Sequence, residues 1–285
     1  MKLTVHHETT YWYACPVLLQ PHRMMLRPRG SHEIVILASS LSCSPEAELD
    51  WTQDVFGNLI ATATFSQAAA ELVIINDLTV EQSAVEWPIF RIAPEAHSFP
   101  FDYSPDDLAA LGTLVTVEHE DPEGRLAAWL RGFIHGTSTD TLSLLKDINA
   151  GILDAVAYRA RDEEGTQTPL ETLLLASGSC RDIAALFIEA ARRLGLGARA
   201  VSGYLFDADA SPGDRGATHA WTEIYLPGSG WIAFDPTHRR IGNANLIPVA
   251  VARSNRQIMP ITGGYAGLPE DFMTMEVTVH VARKE

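Results

Sequence analysis

Three residues of this chain are of the types that together perform acyl transfer: Cys180, His219 and Asp235. A thiolate can attack a carbonyl carbon, an imidazole can take and return the proton, and a carboxylate can hold that imidazole in one tautomer. Cys180 lies in "LLLASGSCRDIAALFIEAARRLGLG", residues 173–197, directly after Ser179. Ser179 is a good N-cap, and Asp182 stands where a capping-box acid belongs, a shorter substitute for Glu or Gln. Ile183, Leu186, Phe187, Ala190, Ala191 and Leu194 then share one helical face, and Gly195 is the expected stop after Arg192 and Arg193. Cys180 is thus predicted at the first helical position, where unpaired N–H groups and the positive end of the dipole favour a thiolate. Gly178 leaves room for a close approach. A merely packed helix-start cysteine has the same local signature, so the presence of a base decides. Cys15 in "YWYACP" and Cys43 in "LSCSP" lack this setting and read as structural.

Candidate partners sit on two downstream strands. In "HAWTEIYL" His219, Trp221, Glu223 and Tyr225 share a face, and in "GWIAFDPT" Trp231, Ala233 and Asp235 do. The short "PGSG" connection predicts an antiparallel hairpin. A turn centred on Pro227 sets His219 opposite Asp235, and one centred on Gly228 leaves them diagonal on one face. A turn centred between Gly228 and Ser229 separates them onto opposite faces. Cooperation of the pair therefore requires a loop of odd length. "DPT" also reads as a plain strand-ending Asx turn.

The elements that must position these groups fall into two patterns. "KLTVH", "EIVIL", "LIATATF" and "ELVII" read as strands, so residues 1–87 are expected to form a β-sandwich or barrel. Residues 88–105 carry Pro88, Pro94, Pro100 and Pro105 and read as a link. Residues 106–243 read as helices followed by antiparallel strands, an α+β pattern. Residues 244–285 are an extension whose "MEVTVHVARK" alternates as a closing strand. A length of 285 residues accommodates two such units. The net charge of −15 argues against nucleic acid as the main partner. No run of about 18 apolar residues predicts a membrane-spanning helix. The N-terminus shows no apolar h-region, so no signal peptide is expected. Three cysteines without a CxxC pair fit a reducing, cytoplasmic setting.

"GSCRDIAALFIEAARRLGLGARAVSGYL", "THAWTEIYL" and "GWIAFDPT", in that order, resemble the three core motifs of the transglutaminase-like superfamily of papain-like Cys-His-Asp enzymes. "YWYACPVLLQPHRMMLRPR" and "DVFGN" resemble the β-rich N-terminal region of its bacterial branch, whose members are commonly named as cysteine proteases. The resemblance implies helices packed on an antiparallel sheet or barrel. It makes Cys180 the nucleophile, His219 the general base and acid, and Asp235 the orienter. It also implies a backbone N–H of Cys180 in the oxyanion hole, with Tyr158 in "VAYRARDEEGTQTP" as the candidate second donor and Trp221 as a cleft wall or shield of the ion pair. The expected substrate is a peptide or protein amide, hydrolysed through a thioester without metal or cofactor. Transamidation, deamidation and a non-catalytic interaction module are the alternatives.

Other motifs carry less. "DADASPGD" has Pro212 where a calcium loop needs Gly and Thr218 where it needs Glu, and reads with Arg215 as a loop beside the cleft. "GLGARA" lacks the last glycine of a dinucleotide fingerprint. No GxSxG occurs, and the "HHE" side chains at residues 6–8 alternate between faces.

Overall fold

Alternation shapes the N-terminal third into sheets. In β1 (Lys2–Leu19), Leu3, Val5, His7 and Thr9 face inward at every second position and are at most 2 % exposed. β2 (His22–Met24), β3 (Ile34–Ser44), β4 (Ala47–Gln53), β5 (Leu59–Phe65) and β6 (Ala68–Gln82) follow, all antiparallel. They form two layers, β1–β6–β3 and β2–β5–β4, closed over Tyr13, Val17, Met24, Ala63, Leu72 and Ile74. This is the expected β-sandwich. The computed structural model describes residues 1–136, 138–161, 163–207 and 216–284. Of the "DADASPGD" loop and Arg215, only Asp207 lies within them.

The Pro-rich stretch is a strap bonded to the second half. Phe90, Ile92, Phe99 and Phe101 pack on the main core. Its short strand β7 (Ser98–Phe99) pairs with β8 (Thr139–Asp140), and the Ala93 N–H donates to the Pro227 carbonyl. Between them lie α1 (Pro105–Leu111), capped by the Ser104 hydroxyl, and α2 (Arg125–Arg131). α3 (Thr141–Ala155) starts on the Asp140 side chain and buries Leu144, Leu145, Ile148 and Ile152 completely. β9 (Ala157–Tyr158), α4 (Pro169–Leu175) and β10 (Ser177–Gly178) lead to α5 (Cys180–Arg193).

α5 packs on an antiparallel sheet of β11 (Ala198–Phe206), β12 (Gly216–Leu226), β13 (Gly230–Asp235), β14 (Arg240–Ile241) and β15 (Leu246–Ala252), in the order β14–β13–β12–β11–β15. The last strands return to the N-terminal layers: β16 (Ile261–Thr262) joins β2, β17 (Tyr265–Ala266) joins β1, and β18 (Phe272–Arg283) pairs with β1 from Leu3 to Tyr13.

Two boundaries read from the sequence move. The core sheet does not stop at residue 243, because β15 pairs with β11 along its length. The tail closes the N-terminal sheet, so the ends of the chain lie side by side with Leu3 opposite Arg283. One apolar core also spans both halves: Leu3, Val5, Ile34 and Val80 belong to the same cluster as Leu144, Phe187 and Phe234. Strand patterning shows which residues face inward and says nothing of which distant strand they meet.

Candidate active site

Cys180 is the first residue of α5, as the capping pattern predicts. The Ser179 N–H and hydroxyl both donate to Asp182 Oδ2, at 2.8 and 2.7 Å. Glycine is required at 178, because a Cβ there would stand 2.9 Å from that of Asp182. Gly178 therefore serves packing behind the helix start. Asp182 also accepts from Arg161 Nε at 2.8 Å and from the Gln167 N–H at 2.8 Å. One fully buried carboxylate thus ties Arg161 and Gln167 to the turn that presents the thiol. At the other end Gly195 (φ +79°) donates to the Arg192 carbonyl and Leu196 to that of Ala191, a Schellman stop.

The hairpin pairs Leu226 with Gly230 and Thr222 with Phe234, a three-residue loop centred on Gly228. The odd length leaves His219 and Asp235 diagonal on one face, and His219 Nε2 lies 2.9 Å from Asp235 Oδ2. An ionised carboxylate only accepts, so Nε2 carries the proton and Nδ1 is the nitrogen left for the thiol of Cys180, which lines the same hollow as His219. Opposite β12, Gly203 pairs with His219, and a Cβ there would stand 2.1 Å from the Ile247 carbonyl oxygen and 2.9 Å from the Trp221 ring.

Electrostatics follow from this arrangement. Burial opposes the Cys180 thiolate, but the His219 hydrogen bond and charge, with the Ala220 backbone, hold the thiol below its ordinary range. Burial likewise opposes the His219 imidazolium. The Asp235 carboxylate and then Cys180 outweigh it and push the group up to about 10. Burial opposes ionised Asp235 too, yet His219 and His238 keep it well below the usual carboxylate range. The arrangement can hold a thiolate–imidazolium pair at neutral pH.

The two aromatic candidates part company. Tyr158 pairs with Gly178 beside the helix start and is 52 % exposed. Burial, and then the Cys180 charge, push its phenol up. Trp221 is completely buried and does not face the opening, which corrects its role as a cleft wall. It stacks on His219 at 5.9 Å and 26°, so it backs the ion pair from inside, with an indole N–H that has no partner among the described residues.

A hollow of about 110 Å³ opens beside Cys180 and His219, walled by Thr218, Asn255, Met259 and Pro260. Asn255 and Met259 also line a second hollow of about 530 Å³. The charges around that one neutralise one another, with Glu118 between Arg192 and Arg253.

Three neighbours escaped the sequence reading. His238, one residue beyond the "DPT" motif, brings Nδ1 to 2.8 Å from Asp235 Oδ2. Arg161 and Asn255, whose Nδ2 donates to the Arg181 carbonyl at 2.7 Å, carry no local pattern that marks them. His219, Asp235 and His238 place ligand-type atoms within 4.8 Å of one another. Their separations of 2.8–2.9 Å are those of shared protons, whereas ligands of a tetrahedral metal stand about 3.3 Å apart.

Residues 127–236 match the family model of the transglutaminase-like superfamily, and residues 3–81 match that of the bacterial transglutaminase-like N-terminal region. The chain is 25 % identical to an uncharacterized protein of Mycobacterium leprae, ML0607, over 304 residues covering 99 % of both. The crystal structure of "a putative cysteine protease" from Cytophaga hutchinsonii is similar to the whole chain and to 92 % of its own, with a TM-score of 0.75 at 20 % identity. The chain thus carries, in order, a bacterial transglutaminase-like N-terminal region and a core of the transglutaminase-like superfamily.

Proposed function

We propose that the protein is a thiol-dependent enzyme that cleaves peptide or isopeptide amides through a Cys180 thioester. The observation that carries this reading is the pinning of His219 Nε2 on buried Asp235, which leaves Nδ1 for a thiol presented at a helix N-terminus. Cys180 attacks the amide carbonyl as thiolate. The oxyanion that forms accepts from the Cys180 backbone N–H, with the Tyr158 hydroxyl as second donor. His219 then gives its Nδ1 proton to the departing amine, and water takes the acyl group with the same imidazole as base. Asp235 stays ionised throughout and holds the tautomer. The two adjoining hollows give an extended peptide room on one side of the thiol, which supports a peptide or protein substrate. Three unpaired cysteines support a reducing compartment, the cytoplasm.

The test is intact-mass spectrometry of the protein quenched in acid during incubation with a panel of peptide amides, with and without an added primary amine. Hydrolysis predicts an acyl adduct on Cys180 that decays in water, and loss of adduct and turnover in folded Cys180→Ala. Faster decay with amine, giving an amide product, would make the enzyme a transamidase. A panel that leaves Cys180 unmodified, while Cys180→Ala keeps the cellular phenotype of the wild type, would replace catalysis by a binding role.

A further inference from the structure

We propose that His238 is a positioning residue of this site, holding Asp235 on His219 through its Nδ1–H; the inference rests on the catalytic reading of Cys180 and His219 above. Asp235 is 1 % exposed, and its carboxylate accepts three hydrogen bonds. Oδ1 takes the Thr237 N–H at 3.1 Å, and Oδ2 takes His219 Nε2–H at 2.9 Å and His238 Nδ1–H at 2.8 Å. Remove His238 and, among the described residues, Oδ2 is held only by the imidazole it is meant to orient. With His238 present, the carboxylate is fixed from the turn that ends β13, and His219 must fit to it.

The turn is built to deliver this contact. The His238 N–H donates to the Asp235 carbonyl at 3.3 Å, which curls the chain back after Pro236. The next residue, Arg239, sits at φ +53°, a conformation a non-glycine residue adopts only when held there. Its guanidinium is anchored on Asp154 at 2.6 Å, at the end of α3. The His238 ring then stands edge-on to His219, 5.1 Å between centroids and 71° between planes, and both reach one oxygen.

Protonation states follow from the shared acceptor. Ionised Asp235 has no proton to give, so each nitrogen facing it must donate. Neutral His238 is therefore the Nδ1–H tautomer, with Nε2 turned away. His219 is forced to Nε2–H, which leaves Nδ1 as the acceptor for the Cys180 proton. The side chain of His238 is 31 % exposed, so it supplies this bond from the boundary between core and solvent. It touches neither the thiol nor the hollow beside it.

The experiment compares His238→Leu with His238→Asn. The Asn side chain is shorter, but its Nδ2–H can stand where Nδ1–H stood. Each is read by the pH dependence of Cys180 alkylation with iodoacetamide, followed by peptide mass spectrometry, with urea unfolding as the folding control. The Leu variant is expected to react on the order of tenfold more slowly near pH 6, the scale for losing a group that orients a reactive one. The Asn variant should stay within about twofold of wild type. It also keeps the test alive should Leu fail to fold. A Leu variant that folds with the wild-type profile, or an Asn variant as impaired as Leu, would overturn the role of the Nδ1–H. Ordinary thiol behaviour of Cys180 in the wild type would instead remove the catalytic reading, and this inference with it.

Discussion

Replacing Asp182 by Ala tests how the nucleophile is presented. The carboxylate is fully buried and accepts from the Ser179 N–H and hydroxyl, Arg161 Nε and the Gln167 N–H, all within 2.7–2.8 Å. Truncation leaves the Ser179 and Gln167 N–H groups without acceptors, at about 1–3 kcal/mol each. Arg161 contributes less than a sealed ion-pair partner would, because its side chain is 18 % exposed and can turn to water. The sum is about 3–5 kcal/mol, the range for breaking a buried charge pair. For a chain of this size that is a fall in Tm of about 6–10 °C. Urea unfolding followed by circular dichroism measures the loss, and the variant should also alkylate more slowly at Cys180. The pH dependence has a definite sign. The folded carboxylate titrates below its ordinary range, since its hydrogen bonds outweigh burial. The difference between wild type and variant is therefore full above about pH 4, the unfolded value, and shrinks as pH falls through the lower folded one. A loss under about 1 kcal/mol, or one unchanged down to pH 2, would refute this account of the helix start.

Other substitutions read other contacts. Gly203→Ala forces a Cβ against the Ile247 carbonyl and the Trp221 ring, so it should cost at least about 2 kcal/mol in urea melts and slow Cys180 alkylation by displacing His219. Arg192→Leu takes the guanidinium from the carbonyls of Leu114, Ala198 and Arg253, while Glu118 keeps Arg253 at 2.7 Å, and about 3–5 kcal/mol should be lost by the same measure. Turnover should plateau from below the ordinary thiol range and fall above pH of about 10, where His219 loses the proton the leaving amine needs. Alkylation, which needs only thiolate, should not fall there, and a stopped-flow comparison of the two profiles separates the roles.

What could be read in advance followed local rules. Ser179, Asp182 and Gly195 mark both ends of α5 because caps are set by a few neighbouring residues. Strand parity made a face shared by His219 and Asp235 conditional on a loop of odd length, and the three-residue loop meets that condition. Contacts made across the chain left no such trace. Arg192 reads as a last-turn charge, yet it is 3 % exposed and binds the carbonyls of Leu114 and Arg253, far along the chain, besides that of nearby Ala198. β18 reads as a closing strand without showing which sheet it closes, and it closes the first, because an alternating strand does not name its partner. His238 adjoins a recognised motif, but only the curl after Pro236 reveals that it faces Asp235.

The central claim, an assembled thiolate–imidazolium pair, is tested most directly by the pH profile of iodoacetamide alkylation at all three cysteines in wild type and His219→Ala. Burial pushes the Cys43 thiol up to about 11, and burial with the Asp271 charge raises that of Cys15, so neither should compete at neutral pH. The account predicts that Cys180 reacts well below the free-thiol range near pH ~8.5, and that His219→Ala moves its profile upward. A wild-type Cys180 that titrates like Cys15, or a profile that His219→Ala leaves unmoved, would contradict it.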